Sequence, residues 1–274
     1  MDLLRAAILG IVQGLSEFLP ISSSGHLILV PSLFKWRDQG LAFDVGLHGG
    51  TLLALLIYFW RDWYRMFRAG FRDLGAQGFR FRSHGPDSRL LWLLALGSLP
   101  TAVAGLLFED WIEENLRQPW LVAVMLAGVG TVMLIADRRA ANRRLITDIG
   151  PWDTVLIGLG QAAALIPGVS RSGATMSVAL FRDFSRDTAA RFAFLLGTPA
   201  FVGALGLKLG DLAGLTGREA LDLAVGFACS FLVGIAVIHL LLRWLRTRTL
   251  MPFIVYRYGV AVATFVIGGL RLAF

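Results

Sequence analysis

Two polar segments, residues 13–26 and 167–175, interrupt stretches that are otherwise apolar enough for a membrane interior. Each combines Gly, Pro, hydroxyl and ionisable residues. Charged side chains and broken backbone are tolerated at membrane depth only where they are buried in protein or line a cavity, so both segments are candidate functional sites. Both also fit the spacing Gln-x10-Ser-Gly, which begins at Gln13 in the first segment and at Gln161 in the second. This shared spacing predicts an internal repeat.

The composition predicts an all-α polytopic membrane protein. The 274 residues are 56% hydrophobic and 16% charged, whereas soluble domains are roughly 45–50% apolar and about 25% charged. The net charge of +7 comes from arginines in short segments between apolar stretches, which favours orientation in a membrane over nucleic-acid binding. The single cysteine, Cys229, lies within an apolar stretch, which argues against a disulfide framework or a cysteine metal site.

Six stretches reach the length of about 20 apolar residues that a spanning helix needs. They are 41–60, 90–108, 118–136, 187–209, 219–242 and 251–273. Residues 3–34 and 151–182 are each divided by a polar segment into pieces too short to cross a membrane. These two segments are predicted to be re-entrant helix hairpins.

Arginine-rich segments set the expected orientation. The predicted loops 61–89 and 137–150 and the turn after residue 242 are rich in arginine, whereas the predicted loop 109–117 is acidic. Placing the arginines in the cytoplasm satisfies all six spans. The first hairpin then enters from outside and the second from the cytoplasm.

Each half of the chain contains one hairpin and three spans. An odd number of spans makes the two halves opposite in direction, as in an inverted-topology repeat. We therefore expect one integral membrane domain over 1–274, with halves of approximately 1–136 and 151–274 and the cytoplasmic linker 137–150. The tips of the two hairpins should meet near the bilayer midplane.

The chemistry of both tips favours an anion. A helix resumes after each polar break, and a helix N-terminus offers unpaired N–H groups and a positive dipole end. Glycine lets a ligand approach the backbone closely. Arg171 adds a planar fork of donors that matches phosphate oxygens. The residues of this predicted phosphate cradle are Ser22, Ser23, Ser24, Gly25, Ser170, Ser172, Gly173 and Thr175.

Three residues of the first segment could supply further chemistry. Gln13 and Glu17 are four residues apart, so they point to the same side of a helix, and the Glu17 carboxylate can hold a divalent cation. His26 follows Ser23 by three residues, which would bring the imidazole toward that hydroxyl. This pairing would activate a serine nucleophile or protonate a leaving oxygen.

Other polar residues within the apolar stretches receive lesser roles. Asp44 and His48 are four residues apart in the first predicted span. They are expected at most to contact residues of the site, not the ligand itself. Arg257 and Arg271, in the last span, are expected to be anchors at the membrane interface.

The two segments resemble the motifs of a known family. Gln13-x-x-x-Glu17 followed by Phe-Leu-Pro-Ile-Ser-Ser-Ser-Gly-His26, and Pro-Gly-Val-Ser-Arg-Ser-Gly-Ala-Thr175, are similar to the two motifs of the undecaprenyl-diphosphate phosphatases of bacterial membranes, which are linked to bacitracin resistance. The resemblance covers the whole chain in length, hairpin placement and number of spans. It implies hydrolysis of undecaprenyl diphosphate to undecaprenyl phosphate and inorganic phosphate, which recycles the lipid carrier of peptidoglycan synthesis.

The resemblance also implies residue roles and partners. Glu17, Ser23, His26 and Arg171 would form the catalytic core, with Mg2+ or Ca2+ as the cofactor. The leading position of the first motif is Glu or Gln in the family and is Gln13 here, which leaves Glu17 as the main candidate metal ligand. The partners would be a polyprenyl diphosphate and membrane lipids, without nucleic acid, and a homodimer is left open. The location would be the bacterial inner (plasma) membrane. The predicted orientation, in which the first hairpin enters from outside, favours an active site that opens to the periplasmic or extracellular side.

Several alternatives remain open at this stage. Either Ser23 or His26 could be the nucleophile. A polyprenyl-phosphate flippase or transporter would use the same cradle and the same inverted repeat. A lipid phosphatase of the acid-phosphatase type is disfavoured, since neither Lys35 nor Lys208 begins the Lys-x6-Arg-Pro segment of that family.

Overall fold

The protein is a bundle of α-helices, described by a computed structural model for residues 2–36, 40–207, 210 and 217–272. The described part contains no β-strand, only an isolated bridge between Arg144 and Phe184. The helices are α1 (Leu3–Phe18), α2 (Ser23–Leu33), α3 (Leu41–Tyr58), α4 (Trp60–Gln77), α5 (Pro86–Leu116), α6 (Pro119–Arg139), α7 (Pro151–Ala163), α8 (Arg171–Phe181), α9 (Arg186–Leu207), α10 (Gly217–Leu245) and α11 (Met251–Leu272).

Five helices, α5, α6, α9, α10 and α11, are long and apolar enough to cross a membrane. A sixth candidate combines α3 with α4, which are bent by 70° at the break between them. Large apolar side chains are exposed on these helices, among them Leu106 and Leu232 with 75% and 65% of their surface. Such a surface suits contact with lipid. The prediction of an all-α polytopic membrane protein is confirmed.

Two segments that were expected to be loops are largely helical. Most of segment 61–89 forms α4, which has an apolar aromatic face among its arginines. Segment 109–117 continues α5 to Leu116, because no Pro or Gly interrupts it. The next helix begins at Pro119, a favoured first helical position.

The packing of the helices repeats between the two halves. Helices α1, α3 and α5 of the first half correspond to α7, α9 and α10 of the second. The contact between α1 and α10 therefore corresponds to that between α7 and α5, and the contact between α3 and α10 to that between α9 and α5. Glycines allow both crossings, since a Cβ on Gly10 would overlap the carbonyl of Gly226 and a Cβ on Gly158 would overlap that of Gly97. This matched packing is the arrangement that the predicted internal repeat would produce.

The two breaks between helices have the same backbone conformation. Ser22 (φ 77°, ψ 96°) precedes α2, and Ser170 (φ 74°, ψ 114°) precedes α8. Each serine hydroxyl accepts a hydrogen bond from the N–H three residues later, that of Gly25 or Gly173. Positive φ costs a non-glycine residue about 1–3 kcal/mol and occurs most often at functional sites. Re-entry of the two hairpins into the membrane stays a prediction.

Candidate active site

The carboxylate of Glu17 joins residues from both breaks. Its Oε2 accepts hydrogen bonds from Ser23 Oγ at 2.7 Å and Gln13 Nε2 at 2.9 Å, and it lies 3.2 Å from Nε2 of His48. Its Oε1 lies 3.2 Å from Nη2 of Arg171. One buried anionic group therefore contacts both Ser23 and Arg171. The predictions that Gln13 and Glu17 share a side of their helix and that the two breaks converge are confirmed.

The Arg171 guanidinium is buried but poorly satisfied. Its Cζ lies 3.8 Å from the centroid of the Phe201 ring, a cation–π contact. Its other neighbour is the backbone of Gly197, where a Cβ would overlap the guanidinium. Within the described chain, the three guanidinium nitrogens make no hydrogen bond beyond the ion pair with Glu17. Unpaired buried donors are costly, so these nitrogens would gain hydrogen bonds if an anion reached them.

The hydroxyl groups of the predicted cradle fall into two sets. Ser172 and Thr175 are buried and donate to backbone carbonyls, Ser172 to Leu19 at 3.2 Å and Thr175 to the residue four positions earlier at 2.7 Å. Together with the two capping serines, they hold the helix ends in place. Ser23 and Ser24 are partly exposed and are better placed to meet a ligand. Phosphate binding by either set stays a prediction.

His26 has other partners than the one expected. Its Nδ1 lies 2.7 Å from the carbonyl oxygen of Ser22, and its Nε2 lies 2.8 Å from the hydroxyl of Tyr256. Because a carbonyl only accepts, the network assigns a proton to Nδ1 and lets Tyr256 donate to Nε2 of the neutral ring. The expected contact between His26 and the Ser23 hydroxyl is not formed. The reason is that the ring turns back to the carbonyl at the start of α2.

Arg257 is the main site residue that the sequence did not reveal. Its expected role as an interface anchor is wrong, because its side chain is fully buried. It donates to the carbonyl of Pro20 at 3.2 Å in the first break and to those of Gly168 and Val169 at 2.9 and 3.2 Å in the second. Broken helices leave carbonyls unpaired, and a buried guanidinium can satisfy several of them. The side chain of Arg271 lies outside the described part.

His48 also contributes more than expected. Besides its contact with Glu17, its Nδ1 lies 2.7 Å from the carbonyl oxygen of Asp44, and its ring packs against Phe201 at 5.4 Å between centroids. The Asp44 carboxylate in turn lies 3.4 Å from Nη2 of Arg117. The spacing of four residues between Asp44 and His48 was the available sequence signal, but it gave no indication of contact with Glu17.

Gln13 and Glu17 bring together oxygens of the kind that hard divalent cations take as ligands. Gln13 Oε1 is buried and has no hydrogen-bond partner in the described part, and it belongs to the same side chain that donates to Glu17. Among the described residues, no three His, Cys, Asp or Glu side chains form a metal cluster. Mg2+ commonly binds through one or two carboxylates together with water and substrate phosphates, so a small set of protein oxygens suits it.

Comparisons with known proteins identify the family. Residues 6–263 match the family model described as bacitracin resistance protein BacA. Among curated relatives named undecaprenyl-diphosphatase, that of Geobacter sulfurreducens is 46% identical over 260 residues, 94% of this chain and 95% of the relative. That of Desulforudis audaxviator is 43% identical over 271 residues, 99% of this chain and 100% of the relative. The chain therefore belongs to the BacA family of bacitracin resistance proteins, as its two motifs indicated.

Proposed function

We infer that this membrane protein is an undecaprenyl-diphosphatase, a hydrolase that converts undecaprenyl diphosphate to undecaprenyl phosphate and inorganic phosphate. This activity recycles the lipid carrier for cell-wall synthesis and confers resistance to bacitracin. Family membership and the names of the full-length relatives support the inference. The observation that carries it is the unsatisfied Arg171 guanidinium, which shares the Glu17 carboxylate with Ser23. The flippase alternative is not favoured.

In the proposed mechanism, Ser23 is the nucleophile and Glu17 is its base. The Ser23 hydroxyl already donates to Glu17 at 2.7 Å, within the distance that proton transfer requires. Its Oγ attacks the terminal phosphorus, the bond to the bridging oxygen breaks, and undecaprenyl phosphate leaves with the electron pair. Water then attacks the phosphoserine and releases inorganic phosphate.

Charge stabilisation comes from both breaks. The donors of Arg171 and the N–H groups at the starts of α2 and α8 would bind the phosphoryl oxygens as negative charge develops on them. Gln13 and Glu17 would hold Mg2+ or Ca2+, which would draw charge away from the diphosphate. Removing the cation with a chelator should stop phosphate release, and an unaffected rate would refute the cation proposal.

Loss of the Ser23 hydroxyl tests the hydrolase directly. Purified Ser23→Ala protein in detergent should release phosphate from a polyprenyl diphosphate at least about 10³-fold more slowly than the unmodified protein, as expected when a nucleophile is lost. Ser98→Ala is the matched control, because the Ser98 hydroxyl donates to the Leu94 carbonyl within α5 and has no other hydrogen bond among the described residues. Hydrolysis in detergent needs no membrane compartments, whereas flipping does. Phosphate release from the unmodified protein would therefore not come from a flippase alone.

Trapping the phosphoryl-enzyme distinguishes the two candidate nucleophiles. We expect the adduct on Ser23. An adduct on His26 would transfer the role to that residue, which would first have to lose the hydrogen bond between its Nε2 and Tyr256. An adduct on neither residue would refute both mechanisms.

We also propose the bacterial inner membrane as the location, with the active site opening to the periplasmic or extracellular side. The arginine-rich segments support this orientation. Phe79, which is 80% exposed after α4, is a suitable labelling position. In a Cys229→Ser background, Phe79→Cys should not react with an impermeant thiol reagent in intact cells. Labelling there would reverse the orientation. A homodimer stays a prediction.

A further inference from the structure

A polar cavity lies between α3, α9 and α10, away from Glu17. Its volume is about 320 Å³. Tyr58 in its wall is ten residues beyond His48 on α3, which places the cavity about 15 Å from the active site along that helix. We call it the arginine cavity; its lining residues are Tyr58, Asp187, Arg191, His239, Leu242, Arg243 and Arg246.

The charge of the arginine cavity favours an anion. Three arginines face one carboxylate, that of Asp187. Arg191 is paired with Asp62 of α4 at 2.7 Å. In contrast, Arg243 and Arg246 form no hydrogen bond or ion pair with any part of the chain that the structure describes. Two unpaired guanidiniums at one cavity suit the oxygens of a phosphate group.

Helix α4 indicates the membrane depth of the cavity. It turns away from α3 by 70° immediately after Tyr58. Trp60, Tyr64, Phe67 and Phe71 are exposed along one face of α4, spaced three or four residues apart. An arginine follows each of them, at positions 61, 65, 68 and 72. An amphipathic helix of this kind lies in the plane of the membrane interface. With α4 in that plane, Tyr58, and therefore the arginine cavity, would be at the depth of lipid headgroups.

We propose that the arginine cavity binds the phosphate headgroup of an anionic phospholipid, while α4 lies on the same leaflet. Leu242 gives the cavity an apolar wall, and the exposed side chains of Leu240 and Trp244 on α10 offer contact for an acyl chain. Basic pockets between membrane helices commonly bind anionic lipids in this way. The site is separate from the hydrolytic centre and goes beyond the proposed function.

Lipid binding to the purified full chain tests the proposal. Phosphatidylglycerol and phosphatidylcholine are titrated separately, and bound lipid is counted by native mass spectrometry. The double variant Arg243→Gln/Arg246→Gln should bind phosphatidylglycerol about 30-fold more weakly, from the usual contribution of two arginines near anionic lipid. Its binding of phosphatidylcholine should not change. Arg80→Gln/Arg82→Gln is the matched control, because these exposed arginines lie outside the cavity, and it should keep the original affinity.

Three results would overturn the proposal. They are equal affinity for the two lipids, equal loss of affinity in both double variants, and displacement of phosphatidylglycerol by inorganic phosphate, which would indicate a site for soluble phosphate. Phosphate release from polyprenyl diphosphate in lipid-free detergent should be unchanged in Arg243→Gln/Arg246→Gln. This activity measurement separates failure of the lipid site from failure of the hydrolase.

Discussion

The narrow space beside Gly197 gives a sharp test of the active site. In Gly197→Ala, the new methyl group would overlap the Arg171 guanidinium. Moving the guanidinium away from Gly197 would disturb its 3.8 Å contact with Phe201 and its 3.2 Å ion pair with Glu17. Displacing one donor from a developing oxyanion usually lowers kcat about 10²–10³-fold, or about 2.7–4 kcal/mol of transition-state stabilisation. We expect a loss of kcat in this range.

The assay is phosphate release from a polyprenyl diphosphate, with the thermal midpoint measured in parallel. Gly203→Ala on the same helix is the matched control, because a Cβ there would meet no atom within 4 Å. It should keep its activity within about twofold, as exposed substitutions usually do. If folded Gly197→Ala protein also kept its activity within about twofold, the assignment of Arg171 to the reaction would be refuted.

The remaining predictions concern Tyr256, Arg257 and Gly10. Tyr256→Phe removes the hydroxyl that donates to Nε2 of His26. Because the proposed reaction uses Ser23 and Glu17, kcat should stay close to that of the unmodified protein, and a loss of about 10²-fold that the control Tyr258→Phe does not show would assign proton transfer to His26 instead. Arg257→Met leaves carbonyls in both breaks without a donor and should destabilise the protein by at least about 3 kcal/mol, seen as a lower midpoint of thermal inactivation. An unchanged midpoint would contradict this stabilising role of Arg257. Gly10→Ala should lower the midpoint of thermal inactivation as well, because the new Cβ would overlap the Gly226 carbonyl of α10, which α1 crosses.

The repeat and its two breaks could be predicted because their signals are local in the sequence. Apolar length predicts helices, and the spacing of four between Gln13 and Glu17 predicts a shared helix face, which their hydrogen bond confirms. Helix α4 was not predicted, because its arginines indicated a polar loop despite its aromatic residues. The spacing of Trp60, Tyr64, Phe67 and Phe71 was nevertheless visible.

The contributions of α11 could not be predicted because they depend on tertiary packing. Arg257 reaches Pro20 across 237 positions of sequence, and Tyr256 reaches His26 across 230. Local spacing cannot show which buried cation will meet carbonyls that are freed elsewhere. The expected pairing of His26 with Ser23 failed for the same reason, since the partners that compete for the imidazole include a distant hydroxyl.

The matching conformations at Ser22 and Ser170 have a chemical consequence. The next residue is Ser23 in one copy and Arg171 in the other, so equivalent positions on duplicate scaffolds present a hydroxyl and a guanidinium to one carboxylate. Gene duplication would thus have supplied the geometry, and divergence at this position and at Glu17, which corresponds to Leu165 in the second half, the different roles. If both halves carried the same residue at this position, the helix geometry would stay the same. The Glu17 carboxylate would then meet two hydroxyls or two guanidiniums instead of one nucleophile and one cation.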